Sequence, residues 1–99
     1  MGCVSLVSAQ AAALVIVYSD SCLMRGGGYG QYVIQGAVVA SEASYLVVVA
    51  TFYQEGKVIA TGYSAPIVAL SGATYPFGIV TDVPACNAVT SYTLTTSSG

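Results

Sequence analysis

Apolar residues in this chain fall into short runs separated by glycine, proline and small polar residues, and no stretch sustains a helical period. The first run covers residues 11–19, where Val15, Ile16, Val17 and Tyr18 are strand formers and Asp20 follows as a stop. A glycine-rich loop at residues 25–30 leads into a strand over 31–39 and a small polar turn over 41–44. Residues 45–53 form the strongest predicted strand. Gln54, Glu55, Gly56 and Lys57 then read as a hairpin turn, with Gly56 supplying a positive φ. The chain returns antiparallel over 58–65. Pro66 confines the apolar piece 66–70 to an edge or a corner. Ser71 and Gly72 turn again. A strand over 74–80 is interrupted by Pro76, residues 82–88 form a loop, and 89–96 form the last strand, with 97–99 a frayed end. About seven strands at this spacing predict an all-β fold, an immunoglobulin-like antiparallel β-sandwich. The domain spans residues 11–99, and residues 1–10 are an apolar N-terminal extension.

Alternation within the strands adds detail. In the last strand Tyr92 and Leu94 face one way and Ser91, Thr93 and Thr95 the other, a half-buried strand with a hydroxyl-rich outer face. In residues 45–53 both faces are apolar: Leu46, Val48, Ala50 and Phe52 on one, Tyr45, Val47, Val49 and Tyr53 on the other. A strand in a two-layer fold should keep one face wet. A doubly apolar strand either has a covered outer face or meets another subunit there.

The middle and C-terminal strands resemble the FxLYD domain family. The resemblance rests on Gly36, Ala37 and Val38 near the end of one strand, on the run from Val47 through Tyr53 and the Gly56 turn to Gly62, and on Leu70 to Phe77 with Gly72. It covers roughly residues 32–94, matching Tyr53, the Gly56 turn, Gly72 and Phe77. The first Phe of the family's name falls on Ala50, its Leu on Phe52 and its Asp on Gln54. The Asn usual at the end of the earlier strand falls on Ala40. The resemblance implies an immunoglobulin-like sandwich in a secreted or envelope-associated protein of bacteria or archaea, and it carries no catalytic residues.

Composition changes the picture mainly by exclusion. Apolar residues make up 56% of the chain and charged residues 6%, against about 25% charged in a typical soluble domain. A monomer of this size exposes roughly 5,200 Å². Asp20, Arg25, Glu42, Glu55, Lys57 and Asp82 cannot cover that area, and the strand reading places all of them at strand ends, loops or turns. Nucleic-acid binding, which needs clustered Lys and Arg, is excluded. With no His, the commonest general base and metal ligand is missing. A Ser or Cys nucleophile has no imidazole partner, and Lys57 in a hairpin turn is a poor base for a Ser-Lys pair. The chain reads as a non-enzyme without cofactor or metal.

The candidate chemical motifs are weak. Gly26, Gly28 and the neighbouring glycines do not make a phosphate cradle, because a strand rather than a helix follows. Asp20 and Asp82 alone do not make a calcium site. The eight tyrosines serve packing and subunit contact more readily than ligand binding. Asn87 is not in a glycosylation sequon.

Cys3, Cys22 and Cys86 leave one cysteine over if two pair, and none are spaced for zinc or a redox motif. In an oxidising compartment Cys22–Cys86 is the favoured pair, closing a long loop; the alternative is three buried thiols acting as small hydrophobes. The N-terminus fails as a myristoylation signal, because Ser5 is one place early. The uncharged run over residues 4–18 is short for a membrane span and lacks the basic region of a secretion signal. A strand or a short assembly helix remain the two readings of that run.

These features predict a structural subunit of an extracellular, pilus-like homopolymer. The apolar N-terminal segment, residues 4–17, would add as a strand to a neighbouring copy. The assembly interface falls on Val4, Leu6, Val15 and Val17 of that segment and on Tyr45, Val47, Val49 and Tyr53. The partner is the chain itself, with no nucleic acid, small-molecule substrate or membrane span. The second reading is a monomeric or dimeric envelope binding module that uses loops 25–30 and 82–87.

Overall fold

Alternating apolar and polar positions rich in Val, Ile, Tyr and Thr produce seven strands in the computed structural model, which describes residues 13–98. They are β1 (Ala13–Met24), β2 (Gly30–Ala40), β3 (Ser44–Gln54), β4 (Lys57–Tyr63), β5 (Ile67–Ala69), β6 (Thr74–Val83) and β7 (Ser91–Ser98). A single 3-10 turn, Cys86–Ala88, precedes β7. All pairings are antiparallel.

One sheet has the order β1-β2-β6. In the other, β3 is central. β4 pairs with its second half and β5 with its first. Leu46 pairs with both Ile67 and Ser98, so β5 and β7 lie on opposite sides of β3. Among the described residues β4 and β5 thus follow one another along one edge, and β7 forms the other. The inner faces of the two sheets meet in one core, in which Ile34, Val38, Val48, Phe52 and Ile79 are fully buried. This is a sandwich-like all-β fold.

Two local devices shape the second sheet. Glu55 (φ 49°) and Gly56 (φ 87°) form a two-residue hairpin between Gln54 and Lys57, the left-handed geometry that matches strand twist. Between β4 and β5, Ser64 keeps the ladder intact. Its N–H donates to the Val48 carbonyl at 2.9 Å, and its Oγ accepts from the Val48 N–H at 2.9 Å. Pro66 then breaks the edge. On this side the sheets approach closely: Gly62 of β4 sits against the Thr81 hydroxyl of β6, where a Cβ would collide.

The structure corrects several expected boundaries. Asp20 does not stop the first strand; β1 runs on to Met24. A register shift between Val17 and Ser19 turns Asp20 towards β7, where its carboxylate gains a hydroxyl partner. Pro76 does not interrupt β6, because among the described residues β6 pairs only with β2 and its other edge needs no N–H from Pro76. Asp82 lies in β6 opposite Gln31, not in a loop. The last strand starts at Ser91 rather than at residue 89, and Ser97 pairs with Val47 instead of fraying. The charges are therefore not all outside strands: Asp20 and Asp82 lie within them, and Lys57 opens β4. The N-terminal extension of residues 1–10, with Cys3, lies outside the described residues, as do positions 11 and 12 of the first expected strand.

Candidate assembly interface

The outward side of the second sheet is built by strand parity. With Leu46, Val48, Ala50 and Phe52 of β3 turned into the core, Tyr45, Val47, Val49, Thr51 and Tyr53 face out. Register places Val68 beside Tyr45, Tyr63 beside Val49, and Val58 beside Tyr53. Val68, Tyr63 and Val58 are 72%, 63% and 60% exposed, so more than half of each meets solvent in the isolated chain. Tyr45 is exposed, while Val47, Val49 and Tyr53 are half-buried by their neighbours. On the opposite side β7 contributes a column of hydroxyls, with Ser91, Thr93, Thr95 and Ser97 paired to Tyr53, Thr51, Val49 and Val47. No charged side chain lies within this face; Glu55 and Lys57 sit at its hairpin end.

The first sheet has an apolar outer side that is absent from the interface expected on sequence. Leu14 pairs with Val39, Ile16 with Ala37, and Ala37 with Pro76. Val33 pairs with Val80. Leu14, Ile16 and Val80 are exposed, whereas Ala37 is buried between its neighbours. The signal is present in the parity of β2 and β6, but it is readable only once the register between them is known.

The remaining expected interface residues are divided. Val15 is 5% exposed and belongs to this chain's own core, and Val17 is half-buried against it. Both pair with β2 of the same chain, at Val38 and Gly36. Val4 and Leu6 lie outside the described residues.

Cys22 and Cys86 form a disulfide with an S–S distance of 2.06 Å and Cα atoms 5.7 Å apart. It ties β1 to the turn before β7. Gly30 lies against Cys86 and Cys22, so loops 25–30 and 82–87 meet at one end of the molecule. The first of these loops is held by hydrogen bonds from the Arg25 N–H to the Tyr29 carbonyl at 2.8 Å and from the Gly28 N–H to the Arg25 carbonyl at 3.0 Å. The Cys86 N–H donates to the Met24 sulfur at 3.4 Å.

Beside the disulfide, the rings of Tyr32, Phe52 and Tyr92 pack with centroids 5.0 to 5.9 Å apart. The Tyr92 hydroxyl donates to Asp20 at 2.5 Å, bridging β7 to β1. Burial, then the hydrogen bond and charge of Asp20, push the Tyr92 phenol well above its usual range. Tyr32 is raised in the same sense, by burial and by the Asp20 charge. The tyrosines thus divide by role. Tyr32, Tyr75 and Tyr92 pack against the core, and Tyr45, Tyr53 and Tyr63 face outward on the second sheet.

Among the described residues no His, Cys, Asp and Glu side chains cluster so as to hold a metal ion. No helix of the described residues is long and apolar enough to cross a membrane. No family model, curated protein or solved structure matches this chain.

Proposed function

We propose that this chain is a structural subunit of an extracellular homopolymeric filament, assembled when the apolar N-terminal segment of one copy adds as a β-strand to the next. The observation that carries this reading is the outward side of the second sheet. Tyr45, Val58, Tyr63 and Val68 are left exposed on a surface without an internal charge. A dissolved monomer gains nothing from such a surface, whereas a second copy buries it without desolvating ions. The Cys22–Cys86 disulfide fits an oxidising, extracytoplasmic compartment. The β1-β2-β6 and β4-β3-β7 orders fit strands A-B-E and C′-C-F of an immunoglobulin-like sandwich, in keeping with the FxLYD resemblance.

Because residues 13–17 already pair with β2, the donated segment reduces to residues 4–12. The purified chain should sediment as polymers that negative-stain imaging resolves as filaments. Deleting residues 1–10 should leave folded monomers. A full-length chain that stays monomeric at all concentrations overturns the proposal.

A second reading, an envelope binding module, is favoured by one observation: the disulfide end gathers loops 25–30 and 82–87. It requires a discrete monomer or dimer, which the same sedimentation run tests.

A further inference from the structure

We infer that the acceptor for the donated strand is the outer edge of β7, and that its occupant is residues 4–12 of a second copy. This rests on the strand-addition reading and adds to it the place of contact. Exposed strand edges invite pairing, and proteins block them with bulges, prolines, charges or breaks. Three of the four edges formed by the described residues carry such devices. β1 has a register shift between Val17 and Ser19, and Asp20 beyond it. β6 has Pro76 and Asp82. The β4–β5 edge opens on Lys57, shifts register opposite Phe52 and Tyr53, and breaks before Ile67 at Pro66. β7 has none: its 8 residues, Ser91–Ser98, contain no charge and no proline, and they pair with β3 without a register shift.

The two sides of the molecule also differ. On the β4–β6 side, Gly62 packs directly against Thr81, so the two sheets close on each other there. On the β1–β7 side, the Tyr92–Asp20 hydrogen bond and the disulfide bridge the sheets towards one end. Towards the other end Val15 and Leu94 lie just beneath the surface and Val17 is half-buried. A strand laid on β7 would cover them with alternate side chains.

Length and polarity select the occupant. Residues 4–12 contain no charge and no proline and are close to the 8-residue length of β7. The chain's own segment is poorly placed to serve. It ends at Ala13, which lies opposite Ala40, at the end of the molecule where β7 finishes opposite Leu46. It could lie on its own β7 only in parallel, and it would then have to cross about 10 Å to the other sheet. A neighbour's segment can run antiparallel, the more stable pairing.

An antiparallel donor places Cys3 near the end of β7. In polymers of the Ser97→Cys variant, mild air oxidation should give disulfide-linked dimers and higher ladders on a non-reducing gel. Ser91→Cys should give at least tenfold less. The double variant Thr93→Lys, Thr95→Lys should keep its melting temperature and need at least tenfold more protein to polymerise. Ladders from Thr74→Cys on β6 or Thr61→Cys on β4, with none from β7, overturn the acceptor assignment while leaving strand addition standing. A Ser91→Cys product that is a cross-linked monomer, as a parallel segment of the same chain would give, overturns the second copy as occupant. A wild-type chain that never polymerises overturns the underlying reading instead.

Discussion

Thr81 is the residue whose chemistry and surroundings disagree. Its hydroxyl is buried between the sheets beside Gly62 and has no hydrogen-bond partner among the described residues. A buried hydroxyl without a partner costs about 1–3 kcal/mol relative to water. Val has the same shape without that cost. Thr81→Val should therefore raise the unfolding free energy by about 1 kcal/mol in urea denaturation, and a loss of stability would show that the hydroxyl has a partner. Tyr92 makes a second prediction, in pH. Its phenol is held above its unfolded value by burial and by Asp20. The folded state therefore binds the proton more tightly than the unfolded state does. That contribution is fully present below pH about 10 and is lost as the pH rises above it. Wild-type stability should fall in this alkaline window, and Tyr92→Phe should flatten the fall; the readout is denaturation midpoint against pH. Neither property is legible in the sequence. Thr81 and Tyr92 read there as strand residues of ordinary parity, and their partners come from other strands.

At the scale of elements, the strands and turns are legible in the sequence and their ends are not. The Gly56 hairpin, the Pro66 corner and the inward set Leu46, Val48, Ala50 and Phe52 follow from local pattern, because period and turn chemistry are local properties. Asp20, Pro76 and Asp82 mislead because each reads as a local stop, whereas all three lie on edge strands. An edge leaves one row of backbone groups free and can tolerate a charge or a missing N–H. The bulge at Val17–Ser19 is a tertiary feature of the same kind: it reverses parity so that Cys22 points inward to Cys86. This disulfide joins elements 64 residues apart in sequence. Closing a loop of that length restricts the unfolded chain by about 4 kcal/mol on the chain-entropy account. The Cys22→Ser, Cys86→Ser double variant should lose about 2–4 kcal/mol of stability and release the turn before β7. Retention of wild-type stability in that variant would mean that the aromatic cluster of Tyr32, Phe52 and Tyr92 alone fixes this end.

For the whole molecule the question is where the few charges sit relative to the surfaces that would join. Glu42, Glu55, Lys57 and Arg25 lie in turns or at strand ends, and Asp20 is engaged with Tyr92. The outward side of β3 and the β7 hydroxyl column carry none. Association through such surfaces gains from removing apolar area from water and from backbone pairing, and little from Coulomb attraction. Screening at physiological salt acts over about 8 Å and has nothing to weaken there. The concentration needed for polymerisation should therefore change less than twofold between low salt and about 0.5 M sodium chloride. Sulfate, which strengthens apolar burial, should lower it. An interface built on the loop charges instead, through Arg25 or Glu55, would weaken steeply over the same range. Light scattering across a salt series separates the two. A steep loss of polymer with sodium chloride would move the interface from the strands to the loops, and with it the balance from the filament to the binding module.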